Sequence, residues 1–454
     1  MNPQTSTGAA FSRFRWVICA LLFFSTTVNY LDRQVISYLK EFFCTPAAAG
    51  GFGWSNTDFS HLTATFTGVY AAATIFAGWF IDKIGTKLGL ALSLITWSFF
   101  GIINAFVGSA VTMHMAVRSL FAVGEAGNFP ASIKTVAEWF PKRERALATA
   151  IFNAGSNGGA MVAALFVPTC MGIFGTQLGW KLAFIITGAG GLLWLIFWFL
   201  LYNPPNKHPG LSREEYNYIH VDDETTVDQQ TGDKAEKVSW IKLFGYRQLW
   251  AFFVGKFMTD GIWWFYLFWL PDYLIKQFGM TTEGVRIPTF IVYGVSIVGS
   301  IYGSSIPLTL IKRGMPVYQA RWTTMFIIAL FPLAVLSTQY FGDKNHFGQW
   351  AEFLAVATIC IGCTAHQAWS ANLFTTVSDM FPKKTIASVI GIGTMAGGIG
   401  GVIIQILQGH LRDALIKSPQ TAYLIMFVIC ALSYIIAWII MKALVPRHQP
   451  ITDL

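Results

Sequence analysis

Charge is what this sequence has least of: Asp, Glu, Lys and Arg make up 12% of its 454 residues, about half the share found in water-soluble domains. Long polar intervals are scarce too, and the one that stands out runs from Asn203 to Val238. The length alone allows about three soluble domains, but so little charge leaves no room for a soluble core of ordinary size. No Walker sequence occurs, so no ATP-driven motor is indicated. Nothing makes a nucleophile–base pair or a set of metal ligands, which argues against an enzyme and against a cofactor. Six cysteines lie mostly inside apolar stretches and read as small packing residues. Cys360 and Cys363 form a CxxC with no second pair, which is a weak basis for a metal or redox site. A signal-peptide cleavage site is absent. Arg13 and Arg15 lead into an apolar stretch longer than a signal core, so that stretch is expected to stay as a first helix.

What the chain does have is apolar length: 54% hydrophobic residues and a mean hydropathy of +0.51. Crossing a bilayer takes about 20 apolar residues in a helix. Twelve stretches qualify, near 16–38, 58–81, 88–108, 111–133, 146–170, 180–202, 248–275, 287–310, 321–340, 350–377, 386–409 and 421–443. Backbone groups in lipid must be satisfied within the segment, so each is expected to be helical. The fold class is therefore all-α and integral to a membrane, with the lipid bilayer as a partner. Lys and Arg concentrate in the loops on the side of both chain ends, which the positive-inside rule assigns to the cytoplasm. The formal charge of +8 thus reports topology and not a nucleic-acid partner.

The polar interval parts the twelve stretches six and six, giving bundles over 1–202 and 241–454 and a cytoplasmic linker over 203–240. Within the linker, Ser212 to Ile219 reads as a short amphipathic helix with Ser212 as cap and Glu215 completing a capping box. The halves repeat: Glu138-Trp-Phe-Pro-Lys-Arg aligns with Asp379-Met-Phe-Pro-Lys-Lys, and the same offset sets Glu125 on His366 and Asn153 on Thr394. A parallel repeat implies a two-fold axis along the membrane normal, with a path between the halves. The glycine run Gly397, Gly398, Gly400 and Gly401 follows no strand, so close helix packing explains it better than a nucleotide site.

Six ionisable side chains lie well inside these stretches: Asp32, Arg33, Arg118, Glu125, Lys256 and Asp260. Charge at mid-bilayer costs about 2.5–3.5 kcal/mol even on mild scales, so such residues mark functional pathways by default. Arg118 and Glu125 are seven apart and share a helix face, while Lys256 and Asp260 are four apart and can pair with each other. Three cations near one path suit an anion, and the carboxylates can carry protons. Trp263, Trp264, Tyr266 and Tyr70 offer faces for sugar rings. Asn153, Ser156, His366, Trp369, Asn372 and Thr394 offer partners for hydroxyls, some of which must instead serve helix–helix contacts.

The loop Gly78-Trp-Phe-Ile-Asp82-Lys83-Ile-Gly85-Thr-Lys87 resembles the signature of the major facilitator superfamily. There Gly78 and Gly85 permit close approach and a tight turn, and Asp82 with Lys83 can form a conformational latch. Asn29-Tyr30-Leu31-Asp32-Arg33, with Arg118 to Glu125 followed by Gly127-Asn128-Phe129-Pro130, resembles the anion:cation symporter branch. The segments at Trp263–Tyr273 and His366–Asn372 look most like the hexuronate transporters for glucuronate and galacturonate. The resemblance implies two pseudo-symmetric six-helix bundles in a bacterial inner membrane, importing a small organic anion with protons by alternating access as a monomer. It further implies that Arg33 and Tyr70 hold the substrate carboxylate, that Asp32 and Glu125 take protons, and that Arg118 tunes them. Lys256 would be a second anion contact, although sugar-acid relatives often have uncharged amides in place of Lys256 and Asp260. Ser156 stands where a galactonate-type relative has Gln.

Overall fold

The structure is a computed structural model that describes residues 13–221, 240–382, 385–447 and 451. The linker's acidic run from Asp222 to Glu224, and Lys383 and Lys384 of the repeat, lie outside those residues. The described chain is helical throughout, with α1 Phe14–Tyr38, α2 Asn56–Ile84, α3 Thr86–Ile103 and α4 Val111–Glu125, which resumes as Asn128–Trp139. The helix Lys142–Leu201 turns at Gly175, whose φ of 70 and ψ of 167 are not helical; α5 (142–174) precedes the turn and α6 (176–201) follows it. The second half contains α7 Arg247–Phe278, α8 Arg286–Lys312, α9 Val317–Leu330, α10 Ala351–Met380, α11 Ile386–Ala414 and α12 Pro419–Leu444. Nine described helices are long and apolar enough to cross a membrane, and one of these is the turned pair α5–α6. The broken α4 and the more charged α7 bring the crossings to the twelve expected.

Local chemistry sets the helix ends. Ser55 and Asp58 form a capping box at the start of α2. Gly85, at φ 87, makes the tight reversal into α3 that a side chain would strain. In α4 the break falls beside Glu125, and a Cβ on Gly127 would collide with Ser93 of α3. That glycine brings α3 and α4 together where a buried charge must be enclosed. Ser212 caps the linker helix Arg213–Ile219, its Oγ accepting from Glu215 N at 3.2 Å, but the capping box expected there does not close. The Glu215 carboxylate instead accepts from Phe14 N and Arg15 N, both at 3.1 Å, and so caps α1.

The repeat in sequence is a repeat in contacts. Trp198 of α6 donates to Lys87 O of α3 at 3.0 Å, and Trp438 of α12 donates to Trp322 O of α9 at 3.0 Å. At the repeated motif, Glu138 accepts from Thr86 and Tyr202, while Asp379 pairs with Arg321.

Two antiparallel seams join the halves. Along α2 and α11, Asn56 and Thr57 meet Asp413, Ser60 meets Gly409, Thr63 meets Gln405, Thr67 meets Gly401 and Ala71 meets Gly398. Along α5 and α8, Thr169 meets Arg286, Met161 meets Gly294 and Asn157 meets Ser296. Both seams run from the far face, opposite the one where α1 begins and α12 ends, to mid-membrane. Among the described residues, hydrogen bonds and ion pairs between the halves line these seams and the far rim, so the far face is sealed.

Candidate substrate site

Where the seams end, the charges of the first half collect. Arg33 of α1 is 1% exposed, and its Nε donates to Glu125 Oε2 at 2.9 Å. Rings surround its guanidinium: Tyr30 at 4.4 Å, Tyr70 at 4.6 Å, Trp264 at 5.3 Å and Phe66 at 5.5 Å. Trp264 comes from α7, so the box around this cation is closed by the second half. Cation–π contacts of this kind contribute about 0.5–2 kcal/mol each once desolvated. They leave the guanidinium edge to polar partners, here Glu125 on Nε and Asn29 Oδ1 on Nη2 at 3.4 Å, and such an edge can bind a carboxylate in a fork.

Arg118 does not pair with Glu125, its neighbour on the same helix. Its Nη2 donates to Arg33 O at 3.3 Å, its guanidinium lies over Phe121 at 4.4 Å and Phe66 at 5.0 Å, and its Nη1 has no hydrogen-bond partner among the described residues. Asp32 precedes Arg33 on α1 and is 2% exposed. It faces Trp97 and Thr187, with Glu125 and Arg118 close by, yet neither oxygen accepts a well-formed hydrogen bond among the described residues. Glu125 Oε1 is likewise unpaired. Buried polar atoms without partners are costly, and here four lie in one cluster. The structure thus brings together Asp32, Arg33, Tyr70, Arg118, Glu125 and Trp264.

The remaining candidates, from α5 and from the second half, make contacts with their own surroundings, although Trp369 Nε1 has no hydrogen-bond partner among the described residues. Lys256 Nζ pairs with Asp260 Oδ2 at 2.5 Å and lies over Phe374 at 4.7 Å. His366 stacks on Trp263 at 5.1 Å and 6°, and its Nδ1 is 2.8 Å from Tyr434 Oη. Trp369 is fully buried edge-on against Tyr434. Asn372 donates to Gly303 O and Ala368 O, both at 2.9 Å, which ties α10 to α8. Ser156 and Thr394 bond back to their own helices, at Asn153 O and Ile390 O. Asn153 itself is exposed.

At the signature loop, Asp82 accepts from Lys134 of α4 at 2.8 Å, Lys83 lies over Trp79 at 5.3 Å, and a Cβ at Gly78 would meet nothing within 4 Å. This pair stays within the first half. Among the described residues, no group of three His, Cys, Asp or Glu is placed to hold a metal. Tyr30 and Phe66 had no role in the sequence reading, although Tyr30 lies inside the quoted helix 1 motif. Trp97 and Thr187 gave no signal at all, being ordinary residues of apolar helices.

Two six-helix bundles related by a repeat, sealed on one face and holding a buried cation and carboxylates between them, define a secondary transporter of small molecules and not an enzyme. The chain belongs to the Major Facilitator Superfamily, whose sequence profile matches residues 22–405. It is 27% identical over 429 residues to the hexuronate transporter of Escherichia coli K12, covering 94% of each chain. To the D-galactonate transporter of Escherichia coli O6:H1 it is 25% identical over 435 residues, 93% of this chain and 95% of that one. Its fold matches a bacterial homologue of the human lysosomal transporter Spinster with a TM-score of 0.74, at 16% identity over 96% of this chain and 97% of that one.

Proposed function

We propose that this protein imports a hexuronate such as glucuronate or galacturonate together with protons, by alternating access across a bacterial inner membrane. Both chain ends lie in the cytoplasm on this reading, and the sealed far face is the outer one. The observation that carries the proposal is the Arg33–Glu125 bond at 2.9 Å inside the aromatic box. The cation suited to a substrate carboxylate is held by the chain's own carboxylate. A proton on Glu125 cancels that claim and frees the guanidinium, so substrate and proton arrive together. Asp32, buried without donors, serves as a second proton carrier, and Arg118 biases both carboxyls through its charge. Tyr70 and Trp264 supply ring faces and a hydroxyl to the sugar, with Asn153 and Ser156 of the first half and Lys256, His366, Trp369, Asn372 and Thr394 of the second around the path. Asp82, Lys83, Gly78 and Gly85 form the latch that changes between states. Relatives named for a hexuronate and a galactonate support the organic-anion class, and the galactonate relative favours an aldonate as the alternative substrate.

Uptake of labelled glucuronate into proteoliposomes, with and without an imposed pH gradient, tests this reading. Accumulation above equilibrium that requires the gradient is expected. Accumulation of galactonate or glucarate alone would move the substrate, and uptake indifferent to the gradient would remove the proton.

A further inference from the structure

At the far rim, three buried charges meet away from the Arg33 cluster. Lys40, just past α1, is 2% exposed and donates to Asp272 Oδ1 of α7 at 2.6 Å and to Asn56 Oδ1 at the start of α2 at 2.8 Å. Asp272 also accepts from Tyr423 of α12, and Arg412 Nε of α11 stands 3.5 Å from its other oxygen. Arg412 is 4% exposed, and its Nη1 has no partner among the described residues. Two cations share one carboxylate, so the cluster carries an excess positive charge out of reach of solvent. A second carboxylate of α11 sits beside it. Asp413 accepts from Asn56 N at 3.1 Å, Asn56 Nδ2 at 2.8 Å and Thr57 N at 2.7 Å. The two backbone groups are orphan donors of α2, since Ser55 Oγ satisfies only Asp58 N.

The division between halves is informative. Lys40, Asn56 and the first turn of α2 belong to the first half, and Lys40 Nζ, Asn56 N, Asn56 Nδ2 and Thr57 N donate toward the seam, while the Asp58 carboxylate of that turn accepts from Ser55. Asp272, Asp413, Arg412 and Tyr423 belong to the second. When the halves part at this face, Asp272 keeps Arg412 and Tyr423. Lys40 and the two backbone N–H groups lose their carboxylates and face the solvent.

We propose that Lys40, Asn56 and the first turn of α2 form an outer binding site for the carboxylate of the transported anion, filled in the sealed state by the chain's own Asp272 and Asp413. The site rests on the organic-anion transport proposed above. It gives an arriving anion a first foothold before it reaches Arg33, and the withdrawal of the two aspartates opens it. Closure then expels the anion inward by competition, because the aspartates reclaim the same donors.

The test is the external KM for glucuronate in right-side-out proteoliposomes carrying Lys40→Met, beside the KM for counterflow from the cytoplasmic face. A mere gate strut predicts the opposite sign from a binding site. Weakening a seal raises the population of the outward-open state and lowers the external KM. Loss of a charge-assisted contact raises it, by about tenfold or more. Asp413→Asn, which frees the donors without removing them, lowers the external KM severalfold. Lys40→Met is expected to raise the external KM about tenfold, with the cytoplasmic-side KM within about twofold of wild type. An external KM that is unchanged or lowered in Lys40→Met overturns the site. Should that variant fail to reach the membrane, Asn56→Ala, in which Lys40 still pairs with Asp272, must raise the external KM, and an unchanged value there overturns the site as well. Wild-type protein that takes up no organic anion overturns the transport reading and this inference with it, whereas wild-type uptake with the wrong sign in the variants overturns the site alone.

Discussion

The two halves share a repeat but not a chemistry. In the first, Asp32, Arg33, Arg118 and Glu125 are buried within one cluster and leave polar atoms of three of them unpaired. In the second, the candidate groups along the path close on one another, Lys256 on Asp260, His366 on Tyr434 and Trp263, Asn372 on two backbone carbonyls, and the Nη1 of Arg412, without a partner among the described residues, lies at the far rim instead. The repeat even sets His366 where the first half has Glu125. A frame can thus be duplicated while one copy keeps, at the centre of the path, the unsatisfied charge that substrate and protons answer, and the other becomes wall there. Such frustration is expected at functional sites and is a liability elsewhere.

The largest effect should come from breaking the first half at its cation. Arg33→Ala is expected to reduce glucuronate uptake more than about 100-fold, and Arg33→Lys to restore little, because a point charge lacks the fork. Binding by calorimetry that survives Arg33→Ala within a few-fold would remove Arg33 from the site. The second half should respond in another way. Lys256→Met strands a half-buried Asp260 without its cation, so it should hurt expression and transport more than the double variant Lys256→Met/Asp260→Leu. If the double variant is as inactive as Arg33→Ala, the second half is no mere wall. Smaller still, Asn372→Ala removes two hydrogen bonds and should lower stability by about 1–2 kcal/mol, read as a reduced thermal midpoint with KM within about twofold of wild type. At the bottom of the scale stands Asp82→Asn. Its bond to Lys134 is largely exposed, so the expected stability change is under about 1 kcal/mol, and any larger loss of transport would have to come from the other conformational state.

The sequence revealed the helices, their division and the buried charges, because apolar length and charge in lipid are local properties. It paired Lys256 with Asp260 from their spacing alone. It did not reveal that Glu125 takes Arg33 and not Arg118, since two turns on one helix separate side chains that a different helix can bring together. The capping box at Ser212 failed for the same reason: Glu215 found a distant helix start. The rim of Lys40, Asp272 and Arg412 escaped notice because charges near helix ends are ordinary in sequence. Only the meeting of α7, α11 and α12 with the end of α1 buries them.

The central claim is that the Arg33–Glu125 bond couples proton to substrate, and Glu125→Gln tests it most directly. Gln keeps the shape of a protonated Glu125 and can neither load nor release a proton. In proteoliposomes carrying this variant, counterflow of glucuronate should persist near the wild-type rate, while uphill accumulation driven by a pH gradient should vanish. Uphill accumulation near the wild-type level in the same vesicles would contradict the account and leave Asp32 as the coupling carboxyl.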